Sequence, residues 1–170
     1  MPSDHLRFLD TRPRSLRAEM QRLLDGARHF SVEEIARRGW CVAAFPDAIS
    51  EEQAKGIVAA AARRGIRSAS AGTTESEEEQ FELSVTSDGL LEFDANGLLR
   101  YYLLVTEQFA ILLEANYYWL IAGPADFIED AFGRSPAALL REFLSDYAEA
   151  EWPPTTAAVL REMERYVPLC

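Results

Sequence analysis

Carboxylates are the most abundant side chains in this sequence that could take part in chemistry, at 28 of 170 residues. The pairs Glu92 with Asp94 and Glu129 with Asp130 have the groups that a general acid and a general base require. Neighbours on a helix point in different directions, and alternate strand residues share a face but need a cleft to separate their pKa values. We therefore interpret these pairs as solvated surface charge.

Metal ligands are scarce in the sequence. Neither of the two histidines, His5 and His29, lies at zinc-ligand spacing from a cysteine or a carboxylate. Residues 92–97 match the first half of an EF-hand calcium loop, but the twelfth position is Leu103 where such a loop needs a bidentate glutamate. We predict a hairpin turn in this segment, and no metal or other cofactor.

Nucleophile and phosphate-binding motifs are missing too. The sequence contains no Gly-rich phosphate loop, no dinucleotide-binding fingerprint and no G-x-S-x-G elbow. Cys41 lies in the apolar run WCVAAF, where a thiol is inert. We predict that Cys41 is a buried structural cysteine and that the protein is not an enzyme.

The cysteines and the apolar stretches indicate the cellular compartment that we expect for the protein. Cys41 and Cys170 are the only cysteines, which is not a secreted disulfide framework and favours a reducing compartment. Residues 1–10 carry charges where a signal peptide would need an apolar core. The longest apolar stretch, 109–125, is interrupted by polar residues and a Gly-Pro pair, so it cannot span a bilayer. We expect a cytoplasmic protein without membrane contact.

The first 67 residues contain the patterns of helices and short strands. Apolar residues at helical spacing predict a helix over 16–25. Capping boxes at 31–34 and 50–53 open two further helices. Apolar runs at 40–45 and 66–71 predict two strands, and if these pair in parallel the helix between them makes a right-handed crossover.

The middle of the chain has the pattern of an antiparallel meander. Residues 81–85 alternate between apolar and polar, and turn signals follow at 88–89 and 96–97. Three apolar runs within 101–122 predict three further strands. Both faces of these strands are apolar, so we expect cover on both sides of the sheet.

The last part of the chain predicts helices. Ser135 caps one of them, and Thr155 or Thr156 caps the last. We therefore predict an α+β fold, an antiparallel β-meander with helices packed on it. One domain spans residues 1–170, with N-terminal helices and a βαβ-like start at 1–67, the meander at 80–122 and C-terminal helices at 124–167.

Charge is distributed unevenly along the chain, whose net charge is −11. Residues 1–67 contain 12 basic and 9 acidic side chains, a balance of +3, whereas residues 68–170 contain 5 and 19, a balance of −14. A surface of that sign repels phosphate backbones and anionic lipids and attracts basic proteins. We expect no nucleic-acid binding by the acidic part; solubility alone is the other interpretation of its charge.

The predicted meander is rich in tyrosine and tryptophan, which are over-represented in binding hot spots. Core packing explains most of these rings, but an exposed ring beside carboxylates would form a docking patch. The candidate partner-binding residues are Glu77, Glu78, Glu79, Glu82, Asp88, Glu92, Asp94 and Tyr118.

A local resemblance concerns the N-terminal third. Residues 16–40, with the sequence FSVEEIARRG at their centre, resemble the middle of a helix-turn-helix motif. The recognition helix of that motif would fall on WCVAAFP, which has the pattern of a strand and lacks base-reading side chains. A DNA-binding regulator acting through the Arg-rich N-terminal helices is therefore our third hypothesis.

Taken as a whole, the size, the acidity and the lack of catalytic motifs resemble the small immunity proteins that neutralise bacterial toxins. That resemblance implies a tight one-to-one complex in which an acidic surface covers the cationic active site of a basic toxin. Our first hypothesis is a non-catalytic bacterial protein that binds and neutralises a basic partner, in an oligomeric state left open. The second is a small-molecule enzyme or ligand-binding domain with a pocket between sheet and helices.

Overall fold

A computed structural model of the protein describes residues 6–8, 14–26, 28–74, 80–97, 101–114, 118–149 and 153–170. The strands are β1 (Leu6–Phe8), β2 (Leu24–Asp25), β3 (His29–Phe30), β4 (Cys41–Pro46), β5 (Ser68–Thr73), β6 (Gln80–Ser84), β7 (Tyr101–Val105), β8 (Ala110–Glu114) and β9 (Tyr118–Gly123). The α-helices are α1 (Arg14–Leu23), α2 (Val32–Arg38), α3 (Glu51–Arg63), α4 (Ser87–Asn96), α5 (Ala125–Phe132), α6 (Pro136–Glu149) and α7 (Pro153–Glu164), and a 3₁₀ turn, Val167–Leu169, follows.

Seven of these strands form one antiparallel sheet in the order β1-β6-β5-β7-β8-β9-β4. The meander of β7, β8 and β9 lies within it, joined by consecutive antiparallel pairings. Strands β2 and β3 form a separate two-stranded sheet. The predicted α+β class with an antiparallel meander and packed helices is confirmed.

Both faces of the sheet are covered, because both alternating sets of strand side chains are apolar. On one face, Leu104 and Ile111 pack with side chains of α3, α4 and α5. On the other face, Leu103 and Leu112 pack with side chains of α1, α2, α6 and α7. The sheet therefore lies between two helical layers, which confirms the cover expected from the doubly apolar strands.

Local signals placed several helix ends as predicted. The Ser50 hydroxyl accepts a hydrogen bond from the Gln53 backbone N–H, and the Gln53 side chain accepts one from the Ser50 N–H, so the capping box at α3 is complete. Ser31 also caps α2. The Glu34 carboxylate, however, bonds to Arg37 and Arg38 instead of reaching back, because two guanidiniums on the next turn are better partners.

The segment predicted to turn at 88–89 and 96–97 is helix α4 instead. Thr86 starts it, since its hydroxyl accepts from the Gly89 backbone N–H. Leu90 and Phe93 are then three residues apart, and both are buried against the sheet. The hairpin prediction at Asn96–Gly97 was wrong because burial at helical spacing outweighed the local turn signal.

The first strand–helix–strand unit is present, but its strands do not pair. Strands β4 and β5 are separated in the sheet by β7, β8 and β9, so α3 crosses over three intervening strands. The segment WCVAAFP, where a recognition helix would lie, contains β4, which pairs with β9. The resemblance to a helix-turn-helix motif therefore ends at α2. At the other end of the chain, α7 begins at Pro153 rather than at Thr155 or Thr156.

Cys41 and Cys170 form a disulfide that joins β4 to the end of the chain. The sequence was interpreted as containing no disulfide framework, and the pairing corrects that interpretation for both cysteines. Cys41 is buried as predicted. The pairing is not visible in the sequence, because the two cysteines have a sequence separation of 129 and only the packing of the C-terminal turn beside β4 brings them together.

Candidate functional site

An open cleft, which we call the outer cleft, lies where strand β4 ends, between α3, α5 and α6. Its volume is about 340 Å³. Its floor is apolar and consists mainly of Phe45, Phe132, Leu139 and Phe143. Charged side chains form the rim around this floor: Glu52, Arg134, Glu142 and Asp146.

Two helices position the rim carboxylates. Glu52 lies in the first turn of α3, within the capping box of residues 50–53. Glu142 and Asp146 are four residues apart on α6, so they share one exposed side of that helix while Leu139 and Phe143 are buried. The same periodicity that buries the apolar side of α6 therefore places two carboxylates at the mouth of the cleft.

The rim has an excess of negative charge. Arg134 forms an ion pair with Glu142, in which both side chains are about half exposed. Glu52 and Asp146 have no ion-pair partner among the residues that the structure describes. Three carboxylates against one guanidinium make this rim a site that attracts cations.

The floor includes rings from two aromatic clusters, one on each face of the sheet. Phe45 stacks on Trp119, with ring centroids 4.4 Å apart. Phe143 stacks on Tyr147 at 4.9 Å and lies 5.6 Å from Tyr118. The π faces of such rings attract ammonium and guanidinium groups, so the floor and the rim favour the same kind of ligand.

A second space, the inner cavity, lies beside the turn between β4 and α3, with a volume of about 320 Å³. It is lined by Asp47, Ala48, Asp94, Gly97, Leu113, Glu114, Tyr118 and Trp119. Burial raises the pKa of Asp94, although its carboxylate accepts a hydrogen bond from the Ile49 backbone N–H. Asp47 has a left-handed backbone with φ of 61°, which is uncommon outside glycine.

Two residues of this lining carry unsatisfied polar atoms. Trp119 is fully buried, yet its indole Nε1–H has no hydrogen-bond acceptor among the described residues. Glu114 is also buried, and its Oε1 has no hydrogen-bond donor within the described part of the chain. Buried polar atoms normally have a hydrogen-bond partner, so these two atoms are exceptions.

Glu114 belongs to a polar cluster between β3, β8 and α7. His29 Nδ1 lies 3.6 Å from Glu114 Oε1 and 3.9 Å from Glu162 Oε1. The Glu114 carboxylate raises the pKa of His29, against the effect of partial burial. Burial raises the pKa of Glu114, and His29 opposes that rise. Beside them, the buried Tyr166 hydroxyl donates to the Phe30 carbonyl oxygen at 3.0 Å.

The sequence-predicted docking residues do not form one patch. Glu82 is on β6 and lines a separate groove of mixed charge with Arg64 and Arg67. Asp88 is exposed in the first turn of α4. Of the predicted residues, Asp94 and Tyr118 are brought together, at the inner cavity, and Tyr118 is buried rather than exposed. Glu92 is half-buried on α4, and Glu77, Glu78 and Glu79 lie outside the described residues.

Part of the acidic excess is neutralised by arginines from the first third of the chain. Asp130 of α5 binds Arg63, the last residue of α3, at 3.2 Å and Arg64, which follows that helix, at 2.7 Å. Arg64 also reaches Asp126 at 2.9 Å. The Arg64 and Arg63 guanidiniums lower the pKa of Asp130. Among the described residues, part of the negative charge beyond residue 67 is therefore paired with arginines, and the outer cleft is a place where it is not balanced.

Sequence reasoning did not single out the three carboxylates of the outer cleft. A signal was present for two of them, since Glu142 and Asp146 lie one turn apart opposite the apolar positions of a helix that was predicted. Nothing in the sequence places Glu52 beside them, because their shared position depends on how α3 and α6 are arranged around the end of β4.

Within the described ranges, no group of three or more histidine, cysteine or carboxylate side chains is arranged to hold a metal ion. The helices described are all too short or too polar to cross a membrane. No protein-family model matches the chain, and comparisons with curated proteins and with solved structures found no similar protein.

Proposed function

We propose that this protein binds a basic protein partner through the outer cleft and does so without catalysis. The observation that carries the proposal is the combination of Glu52, Glu142 and Asp146 around an aromatic floor, with Arg134 as the one basic side chain among the described residues that line the cleft. Negative charge focused in a concave site raises the association rate of a cationic partner by about 10- to 1,000-fold.

The recognised group is an arginine or lysine side chain of the partner. Its hydrocarbon stem packs on Phe45, Phe132 and Phe143, and its charged end reaches the carboxylates at the rim. The aromatic faces contribute roughly 0.5–2 kcal/mol to such a contact. Hydrogen bonds between a cation and a carboxylate are about twice as strong as those between neutral groups.

The narrower form of the proposal is that the partner is a bacterial toxin and that binding neutralises it. Its support is the resemblance of this small acidic chain to immunity proteins. In that case the rim carboxylates occupy the place of substrate phosphates in a cationic active site. A captured partner with nuclease activity that falls to zero at a one-to-one ratio would establish this form.

The test compares two triple variants with the same change in net charge. The cleft variant carries Glu52→Gln, Glu142→Gln and Asp146→Asn, and the control variant carries Glu82→Gln, Asp88→Asn and Glu107→Gln. All six side chains are exposed, so both variants should fold. Fluorescence anisotropy with a labelled nine-residue arginine peptide measures affinity at low and at physiological salt.

We expect the cleft variant to bind the peptide at least about tenfold more weakly and the control variant to stay within about twofold of the wild type. Capture from a lysate of the source organism then uses the same three proteins, and a basic protein should be retained by the wild type and the control alone. Equal losses in both variants would mean that net charge, and not the cleft, attracts cations, and the proposal would be abandoned.

A further inference from the structure

Helices α5 and α6 share a pattern of five residues, an acidic residue, a phenylalanine, two variable residues and an aspartate. Residues 126–130 are DFIED in α5, and residues 142–146 are EFLSD in α6. In both helices the two carboxylates are four positions apart and lie on one side, while the phenylalanine is buried. The two helices therefore carry the same set of groups.

On α5 this set binds a guanidinium that the chain itself supplies. Arg64 Nη2 lies 2.9 Å from Asp126 Oδ2 and Arg64 Nη1 lies 2.7 Å from Asp130 Oδ2, so one guanidinium bridges the two carboxylates. The Cζ atom of Arg64 lies 5.2 Å from the centroid of the Phe127 ring. Arg63 Nε adds a second guanidinium, 3.2 Å from Asp130 Oδ2. Two carboxylates are thus balanced by two guanidiniums.

On α6 the same set is one guanidinium short. Arg134 forms an ion pair with Glu142, much as Arg63 does with Asp130, but Asp146 has no ion-pair partner among the described residues. A carboxylate has about four acceptor sites, so Glu142 can accept from a second guanidinium while it keeps Arg134. Both carboxylates are exposed at the mouth of the outer cleft, where a group from another molecule can reach them.

We propose that the outer cleft selects an arginine side chain of the basic partner, whose guanidinium bridges Glu142 and Asp146. The arrangement is the one that Arg64 has on α5. The stem of the bound arginine packs on Phe132, which is half-buried in the floor of the cleft. This inference rests on the proposed function, and it adds which basic residue is bound and which groups bind it.

The preference for arginine over lysine has a geometric reason. A guanidinium presents its donors in a planar fork, so two of its nitrogens can each bond to a different carboxylate, as those of Arg64 do. A lysine ammonium has one nitrogen, and its stronger hydration makes contact with an aromatic floor less favourable. The negative rim still attracts lysine, but it binds lysine more weakly than arginine at equal charge.

The test compares a nine-residue peptide of arginine with a nine-residue peptide of lysine, which have the same length and charge. Fluorescence anisotropy with labelled peptides measures the Kd of each for the wild type, Asp146→Asn and Glu149→Gln. Glu149→Gln is the matched control, because it removes one negative charge from an exposed position of α6 that does not line the cleft. Steering by net charge acts equally on both peptides, so it cancels in the ratio of the two Kd values.

We expect the wild type and Glu149→Gln to bind the arginine peptide at least about fivefold more tightly than the lysine peptide. In Asp146→Asn the two Kd values should lie within about twofold of each other, because only one carboxylate of the bridge remains. Both substitutions change exposed side chains, so both variants should fold like the wild type.

Two results would overturn this inference and leave the partner proposal standing. The first is that the wild type binds both peptides equally while the cleft variant loses both. The second is that Asp146→Asn and Glu149→Gln keep the same ratio, since the preference for arginine would then arise outside the cleft. If neither peptide binds the wild type, the partner proposal and this inference are both overturned.

Discussion

Truncation of Leu103 tests the architecture on which the outer cleft depends. Leu103 is fully buried in strand β7, which is the fourth strand from either edge of the seven-stranded sheet. Its register neighbours are Gly72 on β5 and Leu112 on β8. The Leu103→Ala variant removes most of a side chain from the cluster under α1 and α2 and leaves the backbone hydrogen bonds in place.

The expected loss of unfolding free energy follows from the burial of Leu103 and from the inability of its neighbours to fill the space that the substitution leaves. Replacing a buried leucine by alanine costs about 2–5 kcal/mol, and the value rises by roughly 24 cal/mol for each Å³ of cavity that remains. Gly72 has no side chain to move into the space, and strands on both sides hold the backbone of β7 in register. We therefore expect a loss in the upper part of that range, about 3–5 kcal/mol.

Equilibrium unfolding in urea measures this loss, with the denaturant slope checked for a change in the unfolded or native state. Val167→Ala is the control, because Val167 is 44% exposed and should cost less than about 0.5 kcal/mol. A loss below about 0.5 kcal/mol for Leu103→Ala would refute the central position of β7, since no fully buried leucine between two strands is removed so cheaply.

Three further predictions concern packing, pH and the disulfide. Gly56→Ala should lower the unfolding free energy by about 1–3 kcal/mol despite the better helix propensity of alanine, because the new methyl group overlaps the carbonyl oxygen of Ala131; unfolding in urea measures it. The pKa values of His29 and Glu114 are both raised, so their contribution to stability is present at low pH and is lost as pH rises through the raised values. The stability of the wild type relative to Glu114→Gln should accordingly rise as pH falls from 8 to about 6, and a constant difference would contradict the contact. Cys170→Ser should lower the melting temperature only without reductant, since closure of so long a loop is worth up to about 5 kcal/mol.

Elements with local signals were predictable from the sequence. The capping box at 50–53 fixed the start of α3, and the doubly apolar runs within 101–122 became three paired strands covered on both faces. Such signals act within a few residues or within one period, so the sequence alone carries them. The same reasoning gave the α+β class and the antiparallel meander.

Features that depend on tertiary packing were not predictable. The sequence of α4 begins and ends near residue pairs that are typical of turns, at 88–89 and 96–97. It forms a helix because Leu90 and Phe93 are buried against the sheet. The pairing of Cys41 with Cys170 depends on how the chain end packs beside β4. In both cases, contacts between residues far apart in the sequence outweigh the local sequence pattern.

The candidate sites were only partly predictable from the sequence. Acidity and aromatic content indicated a binding surface, but of the residues chosen along the chain Glu82 and Tyr118 lie on strands separated by β5, β7 and β8. Asp88, Glu92 and Asp94 lie on helix α4. The carboxylates that do converge, Glu52, Glu142 and Asp146, come from helices far apart in sequence. The net charge can be counted from the sequence, whereas the place where charged side chains gather depends on the tertiary arrangement of the helices.

The association rate of a cationic peptide with the cleft variant and with the control variant tests the central claim most directly. Stopped-flow measurement at low salt should show a rate at least about tenfold lower for the variant that lacks the charges of Glu52, Glu142 and Asp146, with the control within about twofold of the wild type. Equal rates for the two variants would contradict the claim that the outer cleft attracts the basic partner.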